Sequence, residues 1–222
     1  MTKRFLVDPA VLDLGVRVRG AFGYGFDNAV ARLELDGWLK ENGEALISRL
    51  NADAIASDAV LVGFRRIHAK ISKTGKRWLS SPESMLTHVL RTGRIPSISP
   101  IVDIYNMISL KTRLALGAHD LDHVEGNITL RLLNGSERFI PLGVTVLDRV
   151  QAGEYAYCDD SNDVLCRLEV RQVEKTKVTS KTRDCFFIIQ GHDACGDAFL
   201  DATVQELGET LIRFCGGEFE RA

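Results

Sequence analysis

The chain has 222 residues, 45% of them hydrophobic, with 28 Lys+Arg against 30 Asp+Glu, a net charge of −2 and five cysteines. This is enough apolar sequence for a sizeable core, in one large domain or two interlocked small ones. The balanced charge excludes a generic nucleic-acid coat, and no apolar run reaches the length of a membrane span. The opening MTKRFLVDPAVLDLG carries a basic pair but no apolar signal core, and an odd set of cysteines without C-x-x-C spacing argues against a disulfide framework. A reducing, cytoplasmic setting is therefore expected.

In chain order, VRVRGAFGYGF (16–26) alternates apolar and polar positions and predicts a strand. Residues 29–50 read as helical but broken at Gly37 and Gly43. Val60, Leu61, Phe64, Ile67, His68 and Ile71 repeat at helical spacing, and Gly75 is the expected stop. The next helix is expected to be capped by Ser81, with Pro82 in its first turn and Gly93 at its end. Ser99 then caps and Pro100 opens a helix with Ile101, Ile104, Tyr105 and Ile108 at i, i+3, i+4 and i+7, ending near Leu114. Gly117 to Gly126, rich in His and Asp, reads as a loop or short turn.

After Gly126 the period becomes alternating. NITLRLL (127–133), Asn134-Gly135 and ERFIPLG predict a hairpin. EYAYC (154–158), VLCRLEVRQ (164–172) and DCFFIIQ (184–190) predict further strands, and a last helix is expected from Asp197 to Phe214 with Leu200, Val204, Leu207, Leu211 and Phe214 inward. Helices, then strands, then a closing helix predict an α+β fold rather than alternating βαβ units.

Charge is unevenly distributed. Arg65, Arg66, Lys70, Lys73, Lys76 and Arg77 fall in an acid-free stretch from Ala59 to Pro82, and Arg167, Arg171, Lys175, Lys177, Lys181 and Arg183 form a second basic run. These runs suit a one-sided surface for an anionic partner; a solvated helix face and a lysine-decorated strand edge would read the same way.

Specific chemistry is mostly excluded. SKTGKRW (72–78) has one glycine, and Arg77 stands where a phosphate loop needs a hydroxyl. His119 and His123 are four apart, a spacing that serves one metal only on a helix, so no metal and no cofactor are expected. The strand cysteines read as core thiols. Asn106, Ser109, Lys111 and Arg113, with Asp120, Arg131, Arg167, Arg171 and Gln172, are candidates for a polar cleft. On one regular strand Arg167 and Arg171 share a face and offer guanidinium forks for phosphate or carboxylate; salt bridges to Glu169 and Glu174 are the alternative.

These residues carry a resemblance. Val102, Asp103, Asn106, Ser109, Leu110 and Lys111, followed by Gly117, Ala118 and Asp120, then Glu125-Gly126 and Arg131, resemble the B3/B4 domain of the phenylalanyl-tRNA synthetase beta chain, and more closely its stand-alone relatives. Gly153, Glu154, Tyr157, Asp159, Asp160, Cys166, Arg167, Arg171 and Gln172, then Thr176, Lys177 and Thr179, continue it, so it spans residues 59–214 of a single domain with residues 1–58 as an integrated extension.

The resemblance implies a β-sandwich of unusual topology flanked by helices. It also implies tRNA or aminoacyl-tRNA as partner and hydrolysis of a mischarged aminoacyl ester as activity, performed in trans. The roles it implies are Lys111, Arg167 or Arg171 for the tRNA end or the developing charge, and His119 or Asp120 for orienting water. Asn106, Ser109, Arg131 and Gln172 would bind substrate, and Arg65, Arg66, Lys73, Lys76 and Arg77 would track phosphates. Gly117 stands where the synthetase family has an editing histidine, which keeps open a second expectation, a non-catalytic RNA- or small-molecule-binding module.

Overall fold

Two β-sheets share the strands of this chain, and the burial pattern assigns one face of each to a common core. The structure is a computed structural model describing residues 3–29, 33–71 and 78–222. The elements are β1 (Phe5–Val7), α1 (Pro9–Asp13), β2 (Val16–Tyr24), α2 (Leu33–Ile47), α3 (Ala52–Ser57), α4 (Ala59–Ile71), α5 (Ser81–Thr92), α6 (Pro100–Thr112), β3 (Ala115–Asp120), β4 (Ile128–Leu132), β5 (Tyr155–Asp159), β6 (Val164–Arg167), β7 (Arg171–Gln172), β8 (Cys185–His192), α7 (Asp197–Cys215) and β9 (Glu218–Arg221).

The first sheet has the order β1-β4-β5-β6-β7 and the second β3-β8-β2-β9. Only β1 with β4 is parallel; every other pair is antiparallel. Val16, Val18 and Phe22 of β2 and Phe186 and Ile188 of β8 pack against Ile128 and Leu130 of β4, Tyr155 and Tyr157 of β5 and Leu165 of β6. This is the inter-sheet core. The next residues along β8, Cys185, Phe187 and Ile189, face the other way and pack under α6, α7 and α2 with Ile104, Ile108, Leu200, Val204 and Leu207. Arg19, between two inner-face positions of β2, meets Asp197 and Asp201 of α7 at 2.7 and 2.8 Å. The expected α+β sandwich flanked by helices is therefore the observed architecture. Among the described residues no helix is long and apolar enough to cross a membrane.

Several local expectations hold in detail. Pro100 opens α6 behind Ser99, and Gly93 ends α5 in the left-handed conformation. The α5 cap is Ser80, one residue earlier than expected. α2 runs unbroken through Gly37 and Gly43; a Cβ at 43 would stand 3.2 Å from Ile95, so the glycine there lets the helix lie close. Gly75, the expected stop of α4, lies outside the described residues.

Three expectations fail for tertiary reasons. Gly117 does not open a loop. Residues 115–120 are β3, paired along its length with β8, and only Leu121–His123 form a short 3-10 turn. The expected hairpin across Asn134-Gly135 does not form, because β5 takes the place beside β4. The turn itself exists: Glu137, buried beneath it, accepts from Asn134 N at 3.0 Å, Gly135 N at 2.9 Å and Arg131 Nη1 at 2.7 Å. The following segment folds over the outer face of the first sheet, where Leu133, Phe139 and Val150 cover Ala156, Cys158 and Val164. Finally, residues 164–172 are two strands. The chain turns at Leu168, which has φ 55°, and sets Arg171 opposite Arg167 on the neighbouring strand.

Candidate functional site

The two sheets meet unevenly. β3 is an edge of one and β7 an edge of the other, and a cavity of about 540 Å³ lies where these edges diverge. Its walls come from Val102, Tyr105 and Asn106 of α6, Ser81 and Met85 of α5, Ala115, Leu116 and Gly117 of β3, Ile188 of β8, Tyr157 and Cys166 of the first sheet and the Glu169–Gln172 segment. Ile98, Leu142, Lys177 and Val178 complete the lining. The size and the mixture of an apolar wall with a few polar groups suit one small organic ligand.

Of the residues expected to form a cleft, Asn106, Arg171 and Gln172 are brought together here. Gln172 also joins the two sheets, its Nε2 donating to Ala118 O at 3.3 Å. A Cβ on Gly117 would stand 2.9 Å from that same nitrogen, so the glycine keeps the wall open beside Gln172.

The other expected residues have structural partners. Ser109 is buried and donates to Leu114 O at 2.6 Å, closing the end of α6. Lys111 pairs with Glu206 of α7 at 2.7 Å and does not reach the cavity wall. His119 is fully buried, with Nδ1 2.8 Å from Thr176 Oγ1, and burial pulls its pKa down to about 4. Asp120 accepts from Asp122 N at 3.0 Å and from Thr182 Oγ1 at 2.5 Å, which fixes the turn after β3. Arg131 is held by Glu137 and Asn162. Arg167 forms a fork with Glu154 at 2.8 and 2.9 Å, buried beneath Trp78, whose ring centre is 5.0 Å from the guanidinium carbon.

The basic runs are divided as well. Arg65 binds Glu83 and the carbonyls of Ile55 and Ala56, while Arg66 is exposed. Lys175 bridges Asp159 and Asp163 at 3.0 and 2.9 Å. The expected phosphate contacts Lys73, Lys76 and Arg77 lie outside the described residues.

Beneath the cavity lies a buried polar cluster that sequence reasoning missed. Glu169, in the turn between β6 and β7, faces His68 of α4, with Nε2 2.5 Å from its carboxylate. Tyr155 OH donates to the same carboxylate, as does Gln190 Nε2 at 3.0 Å. Tyr157 OH donates to Gln190 Oε1 at 2.6 Å. Burial opposes the charge on both ends of the pair, and mutual attraction overcomes it: the His68 pKa is raised and that of Glu169 lowered. The signal was present in the sequence as Tyr155, Tyr157 and Gln190 at inward positions of otherwise apolar strands, with Glu169 in the turn beside them. Buried polar groups at such positions must find one another.

The arrangement offers hydrogen-bond donors to an acyl or phosphate oxygen through Arg171, Gln172 and Asn106. It offers no activated thiol, since burial pushes the Cys166 pKa up. Among the described residues no group of three or more His, Cys, Asp or Glu is placed to hold a metal ion.

Comparison with known proteins bears on the family and the fold. The B3/4 domain model matches residues 63–195. The phenylalanine–tRNA ligase beta subunits of two Vibrio vulnificus strains, YJ016 and CMCP6, are each 32% identical over 110 residues, covering 46% of this chain. The alignment covers 13% of the length of these relatives. An N-terminal fragment of the phenylalanyl-tRNA synthetase beta subunit from Pyrococcus horikoshii has a similar fold, with a TM-score of 0.53 at 15% identity over 99% of this chain and 50% of that one. With more than half of its residues matched, the chain belongs to the B3/4 domain family.

Proposed function

We propose that the protein receives the aminoacylated end of a tRNA in the cavity between β3 and β7 and hydrolyses a mischarged aminoacyl ester in trans. The observation that carries this reading is the convergence of Asn106, Arg171 and Gln172 on a cavity large enough for one amino-acid residue. In this step water attacks the ester carbonyl, the bond from the carbonyl carbon to the ribose oxygen breaks, and free amino acid and tRNA leave. An aminoacyl ester is already activated, so positioning and oxyanion stabilisation supply most of what the step requires. Arg171 and Gln172 are the donors for the developing negative charge, and Asn106, on the opposite wall, orients the substrate. Arg66 and Arg171, both exposed, are described cations available to the phosphate backbone.

The test is deacylation of a panel of mischarged aminoacyl-tRNAs by the purified protein, each against a control without protein. Ester loss above background for at least one pair, abolished by Arg171→Ala, is the expected result. Binding of tRNA should weaken by a decade or more between 50 and 200 mM salt if several phosphates are contacted. No ester loss across the panel would remove the hydrolytic half of the reading.

A second reading is favoured by one observation. Glu169, the only carboxylate lining the cavity among the described residues, is held by His68, Tyr155 and Gln190 rather than left to a water molecule. A site without a free base suits a module that binds the aminoacyl end without cleaving it. Salt-sensitive tRNA binding without ester loss would select it.

A further inference from the structure

β3 is an edge strand, and its outward side is only partly paired. Asp120 N donates to Thr176 O at 2.9 Å, not to β8, so Asp120 lies in the outward phase of the strand. Ala118 shares that phase, since its carbonyl accepts from the Gln172 side chain. Main-chain groups alternate sides along an antiparallel strand, so the N–H and C=O of Leu116 and the N–H of Ala118 also point away from β8. None of these three groups makes a hydrogen bond among the described residues. Leu116 and Gly117 line the cavity, while the Leu116 side chain belongs to the core beneath the helices. By the phase of the strand, Leu116 therefore carries an unpaired N–H and C=O on the edge of β3 at the cavity wall.

We propose that this edge is a recognition strand for the main-chain part of an α-aminoacyl ligand. In a hydrogen-bonded antiparallel pair, one residue donates its N–H and accepts at its C=O across to a single partner residue. An L-α-aminoacyl group carries the same two functions on either side of one Cα. Leu116 N–H donates to the acyl oxygen, and Leu116 C=O accepts from the ligand's ammonium. In this antiparallel sense the ester leaves toward Ala115, which also lines the cavity. This is strand addition reduced to one residue. The inference rests on the reading that the cavity is the ligand site. It adds that the site reads the α-amino and acyl groups through β3, which leaves the apolar wall formed by Tyr105, Val102 and Ile188 to read the side chain.

The experiment uses the intact chain, labelled with 15N, titrated with a panel of L-amino acid amides. The best binder is then compared with its N-acetyl, desamino and D forms. Binding is expected for at least one L-amide, with the Leu116 amide resonance among those most shifted and its hydrogen exchange slowed. Removing or acylating the ammonium, or inverting the Cα, should weaken binding at least tenfold. Binding that shifts Asn106, Gln172 and Tyr105 but leaves Leu116 unmoved, with the N-acetyl and D forms bound equally well, would overturn the strand proposal and leave the cavity as the ligand site. Failure of every amide to bind would also overturn it. The tRNA deacylation panel would then decide separately whether the cavity reading survives.

Discussion

His68 on α4 and Glu169 in the β6–β7 turn form a buried charged pair, 2.5 Å apart, that ties a helix to the strands forming the cavity floor. Both side chains are nearly inaccessible. Removing Glu169 takes away the carboxylate that keeps His68 protonated and strands the Tyr155 and Gln190 donors. Glu169→Ala is expected to cost about 3–5 kcal/mol in denaturant unfolding. Replacing both residues by Leu should cost less than Glu169→Ala alone, and a double change as damaging as the sum of the singles would refute the coupling.

The pair also has a pH window. The raised His68 pKa contributes stability that is full below 6.5 and fades as pH rises through the folded value. The lowered Glu169 pKa contributes stability that is full above 4.5 and fades as pH falls through its folded value. The stabilisation lost in Glu169→Ala should therefore be largest between pH 4.5 and 6.5. Unfolding free energies of both proteins across this range provide the check.

His119 acts in the opposite sense. Its imidazole is buried neutral, with a pKa of about 4 against 6.5 when exposed. The unfolded chain binds the extra proton between those values, so stability is full above about pH 6.5 and declines as pH falls toward 4. The difference of 2.5 units corresponds to about 3 kcal/mol. His119→Asn should be most destabilised relative to the parent at pH 7, with the gap narrowing toward pH 4; a gap independent of pH would show that His119 does not titrate in this way.

The two arginines expected to act together should separate. Arg167→Ala strands the buried Glu154 carboxylate and is expected to lose about 3 kcal/mol of stability. Arg171→Ala removes an exposed side chain at the cavity and should change stability by less than about 0.5 kcal/mol while abolishing ester hydrolysis. Equal melting temperatures for the two variants would contradict this division.

None of the five cysteines is in a disulfide, and four are buried. Burial pushes the Cys158 thiol up to about 12 and raises Cys166 and Cys185 as well. Only Cys195 is partly accessible. A thiol-specific reagent should modify at most one cysteine quickly in the folded protein and all five in denaturant. Rapid loss of two or more native thiols would disprove the packing of β5, β6, β8 or the end of α7.

Much of this was legible in the sequence because local and global signals agree. α6 has its cap, its proline and its apolar face in order, and all five inward residues expected of α7 are buried. β3 was illegible for the opposite reason. Gly117, His119 and Asp120 carry turn chemistry, but pairing with β8 and burial against Thr176 and Thr182 override it. The cavity was half legible. Asn106, Arg171 and Gln172 were recognisable as polar residues near one another in the pattern. Arg167 was indistinguishable from Arg171 until the turn at Leu168 set one beside Glu154 and the other at the cavity. His68 was counted in an apolar stripe, since its partner lies a hundred residues further along.

The strand order has a consequence for how the chain is made. β2, complete by residue 24, finds both its neighbours only in β8 and β9, beyond residue 184. β3 depends on the same β8. During elongation on a ribosome, the main chain of β2 therefore waits through most of synthesis without a strand to pair with, and the second sheet closes only when its central strand emerges. Such distant pairing slows folding and lengthens the exposure of sticky intermediates. Nascent chains arrested before residue 185 should need a chaperone to stay unaggregated, whereas those released after residue 221 should not.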